Sequence, residues 1–126
     1  MEKKPLEWKI GYKVVLKGKK IHYSATWLGC FAPTHLRERF KYCKERITKR
    51  RKGWGPMAVF ISFMDAVDFQ HLVTHPSIAI FKCWYLPSKT RSLYVSTRRS
   101  RTNIVPAGTD FADKVKLLKE VRERAK

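Results

Sequence analysis

Thirty consecutive residues, 57–86, carry one lysine and two aspartates, in a 126-residue chain that holds twenty-eight Lys and Arg against ten Asp and Glu. That segregation constrains the fold more than any motif does. Residues 1–33 are net +5, residues 34–56 net +7, residues 87–105 net +5 with no acid, and residues 106–126 net +2. The near-neutral stretch is dense in Val, Ile, Phe and Trp, so it is expected to build the core and to add no binding energy. The basic flanks are expected to carry the working surface. A formal net charge of +18 repels itself and weakens the compact state, which points to a polyanionic partner outside the fold.

The length suits one domain over 1–126, with 1–8 as a loose N-terminal arm and 119–126 as a charged tail. An aromatic fraction of 13% and an apolar fraction of 44% exclude a disordered basic tail. The run Met57-Ala58-Val59-Phe60-Ile61 falls far short of the ~20 residues of a membrane span. No apolar h-region follows Met1-Glu2-Lys3-Lys4-Pro5, so a secretory signal is not expected. Cys30, Cys43 and Cys83 are odd in number with no CxxC pair, which favours free buried thiols in a reducing compartment. The expected location is the cytoplasm, or the host cytoplasm for a viral chain.

Ile10 to Leu16 and Ile21 to Ala25 flank Lys17-Gly18-Lys19-Lys20 and predict a hairpin. Residues 34–48 are ambiguous. Leu36, Phe40, Cys43 and Ile47 fall at helical spacing, while Phe40 and Tyr42 alternate with charged neighbours as in a strand. Met57 to Phe63 predicts a buried strand, and Ser62 with Asp65 forms a weak capping box ahead of a short helix through Ala66, Phe69 and Val73. Ser77 to Leu86 is the strongest strand, closed by Pro87, and Leu93-Tyr94-Val95 a short one. Over 109–121, Phe111, Val115, Leu118 and Val121 are helically spaced, yet Val115 and Leu117 alternate with Lys114 and Lys116. The expected class is α+β: a mainly antiparallel sheet with one or two short helices.

Two dense basic clusters stand out, Lys49-Arg50-Arg51-Lys52 beside Gly53-Trp54-Gly55-Pro56, and Arg98-Arg99-Ser100-Arg101. Most charge runs are simply solvated faces. Here no acid neighbours either cluster, and Trp54 stands next to the first. Cations beside an aromatic suit nucleic acid, with phosphates on Lys and Arg and a base on the ring. Lys49, Arg50, Arg51, Lys52, Arg98, Arg99 and Arg101 are therefore the candidate phosphate ligands, converging on one surface. Trp54 is a candidate stacking platform, although a core role weighs more for that indole.

The order Gly11-Tyr12-Lys13-Val14-Val15, Tyr23-Ser24-Ala25, Val59-Phe60-Ile61-Ser62, Ala66, Phe69, Ile80-Phe81-Lys82-Cys83 and Gly108-Thr109-Asp110-Phe111-Ala112-Asp113-Lys114-Val115-Lys116-Leu117-Leu118 resembles a family of small uncharacterised prokaryotic and viral proteins. The resemblance implies strand for both ambiguous segments and carries no activity with it. Gly55-Pro56-Met57-Ala58-Val59-Phe60, with the following helix and strand, is also loosely similar to the centre of ADP-ribosyltransferases. That family needs an NAD-anchoring residue on an early strand, a place His22 can nominally fill, and a glutamate on a late strand. The first late Glu here is Glu120, in the expected tail, and the departure removes the implied activity.

Other chemistry has little support. Asp65 with Asp68, or Asp110 with Asp113 if helical, can share a face and hold Mg²⁺, though such pairs more often cap helices or balance Lys. His71 and His75 have zinc-compatible spacing without partner ligands. His22 and Ser24 share a strand face with no orienting third group. No catalytic residue, metal or cofactor is expected, and more weighs against an enzyme than for one. The expectation is a basic protein that associates with DNA or RNA chiefly through phosphates. The competing class is an interaction module, an inhibitor or assembly factor, docking on an acidic or ribonucleoprotein surface.

Overall fold

A computed structural model describes residues 3–18, 21–24, 41–43, 46–50, 55–72, 77–91 and 107–122. In chain order it holds β1 (Lys9–Leu16), β2 (Ile21–Ser24), β3 (Lys41–Cys43), β4 (Ile47–Lys49), β5 (Met57–Phe60), α1 (Phe63–Leu72), β6 (Ile78–Pro87) and β7 (Thr109–Val121). Every strand pairing among the described residues is antiparallel. The sheet runs β3-β2-β1-β5-β7-β4, and β6 pairs with both β1 and β7. The strands β1, β5, β7 and β6 thus form a closed circuit of hydrogen bonds, with β2–β3 and β4 extending from it.

The expected mainly antiparallel sheet with a short helix is present. Both ambiguous segments contain strand: β3 and β4 in the first, whose residues 34–40 and 44–45 lie outside the described residues, and β7 in the second, where the helical spacing misleads. β7 continues through Val121, which makes Lys119 and Glu120 strand residues rather than part of a tail. Leu93-Tyr94-Val95 lies outside the described residues. No helix among the described residues is long and apolar enough to cross a membrane.

Two apolar layers use opposite faces of the same strands. The inner layer gathers Val15, Tyr42, Met57, Val59, Phe81, Cys83, Tyr85, Ala112, Val115 and Leu117. The outer layer sets Val14, Phe60 and Ile80 under Ala66, Val67 and Phe69 of α1. The Phe60 and Phe69 ring centres lie 5.3 Å apart. α1 starts where Ser62 Oγ accepts the Asp65 N–H at 3.2 Å and donates to Asp65 Oδ2 at 2.9 Å. An acid in the first turn also favours the positive end of the helix dipole.

The Gly108-to-Leu118 stretch has structural reasons for its composition. Gly108 adopts φ +79°, and a Cβ there would fall on the Asp65 carboxylate, so only glycine fits the turn into β7. Buried Asp110 accepts hydrogen bonds from Tyr85 Oη at 2.8 Å and its neighbour Phe111 N–H at 2.8 Å, and it pairs with Arg91 at 2.9 Å. Burial alone would raise the Asp110 carboxyl, but these bonds and the Arg91 charge outweigh it and hold it below its ordinary value.

Candidate nucleic-acid interface

Side-chain alternation decides what the sheet shows to solvent. Along β6, the outward set is Ile78, Ile80, Lys82, Trp84 and Leu86, because Ala79, Phe81, Cys83 and Tyr85 point into the inner layer. α1 covers Ile78 and Ile80, and Lys82, Trp84 and Leu86 beyond it are each partly buried. On β1 the same face carries Tyr12, whose ring packs 5.7 Å from Phe63, and beyond it Ile10. On β7, the core positions Val115 and Leu117 send Lys114 and Lys116 outward. A register shift between Leu86 and Pro87 makes this possible. Leu86 opposes Lys114 and Pro87 opposes Ala112, so β7 fits two steps against one on β6.

Strand pairing then assembles two rows across the open face. One runs Ile10 on β1, Trp84 on β6, Lys116 on β7 and Ile47 on β4. The other runs Leu86, Lys114 and Lys49. Lys82, opposite Tyr12, stands at the boundary with the helix-covered half. With strands ~4.8 Å apart, the first row is about 14 Å wide. Four lysines and no carboxylate occupy these positions. Lys49 and Lys114 are directly opposed, an arrangement that costs stability in an isolated sheet. Lys116 Nζ lies 5.5 Å from the Trp84 ring centre, within cation–π range.

The expected ligands divide on this surface. Lys49 is exposed and joins the row. Arg50 turns away: its backbone N–H donates to Asp113 O at 2.8 Å, and its guanidinium donates to Thr90 Oγ1 at 3.0 Å and pairs with Asp113 at 3.3 Å. An acid does therefore neighbour the first cluster, supplied by β7 rather than by sequence proximity. Arg51, Lys52, Trp54, Arg98, Arg99 and Arg101 lie outside the described residues. Lys82, Trp84, Lys114 and Lys116 were missed as site residues. Their signal was the alternation Lys114-Val115-Lys116-Leu117, which marks a strand with a basic outer side. Lys82 and Trp84 also come from the 57–86 segment assigned wholly to the core.

A concavity of about 400 Å³ is lined by Lys17, Gln70, Ser77, Glu120 and Arg122 among others. Glu120 sits on a late strand after all, but Lys17 at 2.5 Å and Arg122 at 3.0 Å hold its carboxyl below the ordinary range, as an ion-paired anion. That is the opposite of a poised general base. Asp65 serves the helix cap, and Asp110 and Asp113, on a strand rather than a helix, serve Tyr85, Arg91 and Arg50. Among the described residues no three His, Cys, Asp or Glu converge on a common point. His75 lies outside the described residues.

Comparison with family models, with curated proteins and with solved structures yields no match.

Proposed function

We propose that this protein associates with nucleic acid, chiefly through phosphate contacts made by the open half of the sheet face. The observation that carries this reading is the direct opposition of Lys49 and Lys114, with Lys116 and Lys82 on the same face and no carboxylate among them. Like charges held this close raise the energy of the free protein and lower that of a complex with a polyanion. The +18 net charge adds long-range attraction for the same class of partner. Arg51, Lys52, Arg98, Arg99 and Arg101 extend the cationic surface if they converge there. A reducing cytoplasmic setting, the host's for a viral chain, agrees with the buried free thiol of Cys83.

Binding isotherms for labelled DNA and RNA at several salt concentrations test the reading, with polyglutamate as competitor. Log K is expected to fall linearly with log [salt], and replacing Lys114 and Lys116 by Gln should flatten the slope by about 1.4 on a single strand. Unchanged slope and affinity in that variant would remove the face from the site. Displacement by polyglutamate at equal charge would favour the acidic-protein reading instead.

A further inference from the structure

We infer that the open face selects single-stranded nucleic acid over duplex, an inference that rests on the phosphate-binding reading and names its ligand class. The lysines alone do not discriminate, since both forms present phosphates. The apolar side chains between them do. Ile10 is 46% exposed and Ile47 51% exposed, and they bracket Trp84 and Lys116 in one row across four strands. Single exposed apolar residues are ordinary, but these are aligned, with an indole, inside the most basic part of the described sheet.

A duplex stacks its base faces inside and turns phosphate and sugar outward. Laid on this surface it would satisfy Lys49, Lys82 and Lys114 and press charged backbone against Ile10, Trp84 and Ile47. A single strand offers phosphates and unstacked base faces together. With Lys116 Nζ 5.5 Å from the centre of the Trp84 ring, one nucleotide can place its phosphate on the ammonium and its base against the indole or a neighbouring isoleucine. Sheet platforms that combine aromatics with flanking cations bind in this manner and tolerate any sequence, because every base has a π-face.

The test uses fluorescence anisotropy of the full chain with a labelled oligothymidylate and with a duplex of equal length, at matched salt. The single strand should bind about tenfold or more tightly. Trp84→Ala should erase most of that preference, by weakening single-strand binding about tenfold. Trp84→Phe, which keeps a ring, should retain the preference, and Ile47→Ser, at an exposed position, should reduce it should Trp84→Ala fail to fold. Equal affinity for both forms, or a preference indifferent to Trp84 and Ile47, overturns this inference and leaves the proposed function standing. Absence of salt-dependent binding to either form overturns both. So does binding only to vesicles of phosphatidylserine and phosphatidylcholine, which would assign the same lysines and apolar row to a membrane surface.

Discussion

The two halves of one sheet face make the instructive contrast. Ile78 and Ile80 on β6, with Val14 and Leu16 on β1, lie beneath α1, where Ala66, Val67 and Phe69 seal them. Four residues further along β6 the same face carries Trp84, and Lys82 marks the seam. The β1–β6 pairing runs unbroken across the seam, while the β6–β7 pairing shifts register there, between Phe81 and Cys83. The covered half is what a small sheet needs to bury apolar area. The open half gathers like charges around an indole and two exposed isoleucines, an arrangement that a polyanionic partner would stabilise.

The contrast predicts opposite responses to truncation. Phe60→Ala, under the helix, should cost about 3–5 kcal/mol of stability in urea unfolding, as large-to-small core changes do. Trp84→Ala, half-buried on the open side, should cost ~1 kcal/mol and act mainly on binding. A Trp84 cost equal to that of Phe60 would make the open half a second core surface and break the comparison.

Titration sharpens it from the inside. Burial pushes the Cys83 thiol up from 9.0 to about 12, with the Lys13 charge and a backbone bond from Gly11 opposing. Because the folded value is the higher one, the native state resists ionisation. Its stability is intact below pH 9 and is lost as pH rises from there through about 12. Cys83→Ala should remove that part of the alkaline loss in equilibrium unfolding between pH 9 and about pH 12, the window between the two values. A variant with the wild-type alkaline profile would show the thiol to be accessible. Lys13 lies in the same layer, fully buried, its Nζ donating to Ala58 O at 2.5 Å and standing 5.6 Å from the Tyr42 ring centre. The buried Tyr42 hydroxyl has no hydrogen-bond partner among the described residues.

The smallest effect belongs to the open face. Lys114→Gln should leave stability unchanged or raise it by a few tenths of a kcal/mol, because it relieves the repulsion from Lys49. A measurable loss of stability would show that Lys114 is held by a partner within the fold.

Local chemistry made the hairpin, the Ser62-capped helix and β6 legible in the sequence, since turn residues, a cap and β-branched runs announce themselves over short spans. β7 was only half legible, for a physical reason. Its inward residues Asp110, Ala112, Val115 and Leu117 are spaced two, three and two apart, so the extra step at the Leu86/Pro87 shift breaks strict alternation, and the helically spaced Phe111, Val115, Leu118 and Val121 do not all belong to the inner layer. The site was less legible still. Lys49 and Lys114 are sixty-five positions apart and meet only through the β4–β7 pairing, which no local pattern specifies. Basic density in the sequence led to Lys49 and also to Arg50, which the fold spends on Asp113.

The claim that the open half of the sheet is the binding surface is tested most directly by mapping backbone amide shifts in a 15N-labelled sample titrated with an oligothymidylate. The account predicts the largest changes at Ile10, Ile47, Lys49, Lys82, Trp84, Leu86, Lys114 and Lys116, with the amides of α1 unmoved. Shifts concentrated on α1 or around the Lys17–Glu120–Arg122 cleft, with the β4–β7–β6 face silent, would contradict it.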